Sequence, residues 1–163
     1  MTPSFEHERL NWLLADIVQA IAFGTNLPIE HAGSTDFQRA DVERGFQPDS
    51  CFYLGDHVAV IHGQQRLDMS IDPPPDLVVE VDVTNRSLYT LPLYAAIGVP
   101  EVWRFDSAHI ILYRLGGATY QEVPSITVLA GVSAADLLRF VQLAYEMPRK
   151  AWFFHMMQWA ESL

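Results

Sequence analysis

Apolar residues recur every three or four positions near the start of the chain: Leu10, Leu13, Leu14, Ile17, Val18 and Ile21. That spacing paints one stripe along a helix. Ser4 is placed to cap its start, and Glu6 and Glu8 fall in the first turn, where the helix dipole favours acids. Gly24, Asn26 and Pro28 mark its end. Beyond them the period shortens. Residues 29–39 (IEHAGSTDFQR) read as a strand, and FQPDSCFYLG, after the polar turn ADVERG, reads as a second. Residues 56–72 hold a short apolar patch but no clean period. Pro73, Pro74 and Pro75 form a stiff connector that cannot join a sheet ladder.

The stretch DLVVEVDVT alternates strictly, as a strand does. Leu77, Val79, Val81 and Val83 fall on one face; Asp76, Val78, Glu80 and Asp82 fall on the other. Three carboxylates on one face repel each other in a dry interior, so water, a cation or basic groups must offset them. A helix is expected from Ser87 to about Ile97, with Pro92 near its first turn and Gly98 as its stop. EVWRFD and IILYRL form a hairpin about Asp106 and Ser107, and Gly116 and Gly117 turn into a further strand, ATYQEV. Ser133 and Asp136 open a capped helix, Pro148 breaks it, and KAWFFHMMQWAESL forms a last one. The expected order is one helix, three strands, a helix, three strands and two helices. This is an α/β or α+β domain with one mixed sheet spanning 1–163, without a domain boundary.

The composition fits a packed interior: 50% of the 163 residues are hydrophobic and 18% are charged. The formal net charge of −10 works against non-specific binding to phosphates. Nine of the ten basic residues are Arg, and Lys150 is the only lysine. The lone Cys51 excludes an internal disulfide and a cysteine metal cluster. With no basic lead before an apolar run, and no membrane-length apolar stretch, a soluble cytoplasmic setting without membrane contact is expected. The histidines are scattered and read as surface or packing residues. The final helix, with Trp152, Phe153, Phe154, Met156, Met157 and Trp159, is apolar almost all round. It reads either as a helix lying across the core or as a homodimer seam.

The carboxylates Asp49 and Glu80 both sit on expected strands. A hard cation such as Mg²⁺ takes one or two carboxylates and several waters, which two adjacent strands can supply, with Glu8 as a third contributor. The plainer alternative is that Glu80 and Asp82 lie on a solvated face of an edge strand.

The strings GSTDFQR, GFQPDSCFY, DPPPDLVVEVDVT and LPLYAAIGVPEVWRFD, in that order, resemble the Uma-two family of putative restriction endonucleases, which has the PD-(D/E)xK nuclease core. The resemblance implies a restriction-endonuclease-like core, a four-stranded mixed sheet flanked by helices. It further implies a Mg²⁺- or Mn²⁺-dependent site that hydrolyses DNA phosphodiester bonds. Carried over by position, the metal-binding acids are Asp49, Glu80 and Glu8. The motif lysine, due two residues after the Glu, is replaced by Asp82. A second place for a basic residue, four before Tyr94, holds Thr90. Arg86 is the nearest basic residue in sequence and can bind phosphate, yet it stays protonated and cannot act as a base. Asp49, Glu80, Asp82 and Arg86 are thus the catalytic candidates. Without the lysine, a non-catalytic binding or dimerisation module is the alternative.

Overall fold

The computed structural model describes residues 4–37, 47–82, 89–106, 108–129 and 131–163. The chain begins with α1 (Phe5–Gly24), whose N-cap Ser4 side chain accepts from the His7 amide at 3.2 Å. Two strands follow, β1 (Ile29–Gly33) and β2 (Ser50–Leu54), then a short α2 (Asp56–Ile61) and β3 (Leu77–Val81). The second half runs α3 (Leu91–Ile97), β4 (Glu101–Phe105), β5 (Ile110–Gly116), β6 (Thr119–Val123), α4 (Ala134–Leu143) and α5 (Arg149–Ala160).

The six strands form one sheet in chain order, β1-β2-β3-β4-β5-β6. Only β3 and β4 are parallel, with α3 carrying the chain across between them; every other neighbouring pair is antiparallel. The architecture is α+β, as expected for a restriction-endonuclease-like core, although the sheet has six strands instead of four. The element order differs from expectation by α2 alone. Of its residues only Ile61 is buried, so no apolar stripe betrays it. The first two strands are shorter than their apolar patterns suggested, and the segments 38–46 and 83–88 lie outside the described residues.

One face of the sheet carries the main core. Leu77, Val79 and Val81 of β3, Trp103 and Phe105 of β4 and Leu112 of β5 pack beneath the apolar stripe of α1, with α4 and α5 completing the layer. The other face is smaller: Cys51, Val78 and Val102 lie under Tyr94 and Ile97 of α3. The alternation read in β3 is therefore real over residues 77–81. Its setting is not the solvated edge, because β3 lies inside the sheet and all five of its residues are buried.

Helix α5 runs against α1. Trp152, Met156 and Ala160 are buried there, and the Trp152 indole donates to the Phe140 carbonyl at 2.8 Å. Most of the apolar surface that suggested a homodimer seam is thus covered by the chain itself; Phe154 stays exposed. The approach is closest at Gly24, where an added Cβ would lie 2.3 Å from the Met157 carbonyl oxygen. Only glycine fits there. No helix among the described residues is long and apolar enough to cross a membrane.

Candidate functional site

The site is built where the start of β2 meets the end of β3. Asn11, on the exposed flank of α1, donates to the Asp49 carbonyl at 3.0 Å and accepts from the Ser50 hydroxyl at 2.8 Å, fixing where β2 begins. The Asp49 carboxylate then takes the Val81 amide at 2.8 Å, a bond that ties it to the last residue of β3. The preceding Glu80 projects to the α3 face, and its carboxyl is in hydrogen-bond contact with that of Asp49. Two acids separated by 31 residues of sequence come together.

Glu80 is 8% exposed. Burial, and next the negative charge of Asp49, push its carboxyl up to about 8. The Tyr94 hydroxyl of α3 donates to Glu80 and works in the opposite direction. Thr90, one turn earlier, hydrogen-bonds the same hydroxyl. Burial together with the Glu80 charge raises the Tyr94 phenol, so it stays a proton donor.

Asp82 has a different partner. Its carboxylate accepts from Arg104 Nε at 3.2 Å, and both side chains are almost wholly buried. Arg104 lies on β4 directly opposite Glu80 in the parallel register. The place of the motif lysine is therefore filled by an acid that holds an arginine from the next strand. Arg86 lies outside the described residues.

From α1, His7 reaches the Asp49 carboxylate, with Nε2 at 3.2 Å from it. Glu8 is one step further out, 3.5 Å from His7 Nδ1, and it lines with Asp49 a cleft of about 170 Å³. Among the described residues no group of three or more His, Cys, Asp or Glu converges as a ligand set. Two carboxylates are what the site offers, which suits Mg²⁺, an ion that keeps several waters and takes one or two carboxylates. Each carboxyl disfavours ionisation of the other, and a cation between them would relieve that conflict, so the donor chemistry fits it.

The remaining candidates are structural. Asp76 accepts the Leu54 amide at 2.8 Å and holds His57 at 2.9 Å, locking the turn before β3. Cys51 is buried with its thiol pushed up to about 12 by burial, so it is no nucleophile. His7, Tyr94 and Arg104 escaped the sequence reading. Tyr94 and Arg104 carry a signal only once β3 and β4 are known to be parallel, and His7 only once the pitch of α1 is fixed.

The family model for Uma2, described as "Putative restriction endonuclease", matches residues 1–146. The chain belongs to the Uma2 family. The match takes in all of the Uma2 sheet and both of its acids, and it ends just beyond α4. No curated protein matches the chain at a significant level. The Uma2 description is that of a nuclease.

Proposed function

We propose that this Uma2 protein is a Mg²⁺- or Mn²⁺-dependent endonuclease that hydrolyses phosphodiester bonds of DNA. The observation that carries the reading is the meeting of the Asp49 and Glu80 carboxyls across β2 and β3, with Glu80 raised to about 8. Asp49 and Glu80 would hold the ion, with Glu8 at the rim of the same cleft. Bound there, a divalent cation lowers the pKa of a water ligand and neutralises charge on the phosphate under attack. The Val81 amide and His7 fix the Asp49 carboxylate, while Tyr94 fixes Glu80. Arg104, held by Asp82 and level with Glu80, supplies the fixed positive charge that the absent lysine would bring. A guanidinium stays protonated, so it stabilises an anion and does not take the proton from water.

The test is incubation of the purified protein with supercoiled plasmid and Mg²⁺ or Mn²⁺, beside Asp49→Ala and Glu80→Ala. Metal-dependent nicking that disappears in both variants is the expected result. The occupants of the two lysine places, Asp82 and Thr90, favour a second reading, a non-catalytic binding module. It would be indicated by wild-type protein that never nicks, and calorimetry with Mn²⁺ then shows whether the acids still bind an ion.

A further inference from the structure

A protein of net charge −10 needs some local feature to meet a polyanion. Beside the acid cleft lies a second, larger hollow of about 550 Å³ between the start of α1 and the start of α5. Phe5, Arg9, Trp12 and Arg149 line it, and Glu8 and Trp12 line both hollows, so the two share a wall. Its aromatic rings are unusually wet. Phe5 is 82% exposed and Trp12 58%, with Tyr145, 56% exposed, beside them. The Arg9 guanidinium lies over the Tyr145 ring, 4.4 Å from its centroid. Arg149, which pairs with Asp16, keeps a side chain 63% exposed.

We infer that this hollow is a track for single-stranded nucleic acid. Bases would stack on Trp12 and Phe5, phosphates would meet Arg9 and Arg149, and the strand would be led past Glu8 to Asp49. Unpaired bases offer their faces to exposed rings, whereas a duplex hides them. An arginine stacked on tyrosine is held in place while its N–H edge can still meet phosphate oxygens. The inference deepens the nuclease reading by naming the form of its substrate.

The probe is a dye-labelled oligothymidylate, added to the intact protein in EDTA so that nothing is cut, with binding read by fluorescence anisotropy. Trp12→Ala should weaken binding about tenfold, within the range for loss of one stacked base. Arg9→Gln should weaken it and flatten its dependence on salt. Arg139→Gln, on α4 over Phe140 and Trp159, should bind as the wild type does. Trp12 is half-exposed, so its variant is expected to fold, which circular dichroism checks. Wild-type affinity in Trp12→Ala overturns the track. So does tighter binding of a duplex of equal length, or a Trp12→Ala change confined to dissociation of a dimer in sedimentation. Strand binding lost in Trp12→Ala, beside a wild type that cuts neither plasmid nor a single-stranded DNA circle in Mg²⁺ or Mn²⁺, upholds the track and overturns only the nuclease reading.

Discussion

Replacing Glu80 by Gln isolates the charge that the acid pair buries. Its carboxyl is raised from 4.5 to about 8 in the folded chain, so the folded state holds a proton the unfolded chain has released. Its contribution is therefore fully present below about pH 4.5 and is lost as pH rises through about 8. Between those limits each pH unit removes about 1.4 kcal/mol, or roughly 4 kcal/mol from pH 5 to pH 8. For a domain of this size that is on the order of 10 °C in Tm. Glu80→Gln keeps the shape and cannot ionise. It should match the wild type near pH 5 and be the more stable protein at pH 8, both measured in EDTA by thermal or urea unfolding. Adding Mn²⁺ at pH 8 should restore the wild type and leave the variant unmoved. Parallel curves for the two proteins from pH 5 to pH 9 would refute the idea that Glu80 takes up a proton on folding.

Gly24→Ala places a methyl group 2.3 Å from the Met157 carbonyl and 2.6 Å from Ala160 Cβ, so α5 must shift. A loss of about 1–3 kcal/mol in urea unfolding is expected, despite the higher helix propensity of alanine. Asp82→Asn or Arg104→Met alone breaks the buried Asp82–Arg104 ion pair, with an expected loss of about 3–5 kcal/mol. The double change Asp82→Leu with Arg104→Met should recover much of that stability and still fail to nick plasmid; full nicking would remove Arg104 from the site. Ser133→Ala deletes the capping box of α4 and should lower stability by about 1 kcal/mol, read by chemical denaturation.

Periodicity carried most of the fold. The stripe from Leu10 to Ile21 and the alternation through Leu77–Val81 are local signals, and both elements form where the spacing puts them. The short helix after Gly55 left no such trace, because only Ile61 of its six residues is buried. At the site, Asp49 and Glu80 were readable through the resemblance of the PD and VVEV strings to the family; Asp49 lies in the bend just before β2 and not on the strand expected for it. Their surroundings were not. Whether Asp82 faces solvent or an arginine depends on Arg104, which is 22 residues away and becomes a neighbour only through the parallel pairing. The same holds for α5: its aromatic sequence describes a sticky surface but not which partner covers it, and α1 does so within the chain.

The pairing of β2 with β3 rests on three residue pairs, Ser50 with Val79, Cys51 with Val78 and Phe52 with Leu77. A slip of one position would turn Glu80 toward the α1 layer and carry Val81 away from Asp49. Misaligned chains would therefore bury a lone acid among leucines. Assembly of the sheet and the meeting of Asp49 with Glu80 are consequently a single event, and a chain that has folded in error carries no half-made acid pair.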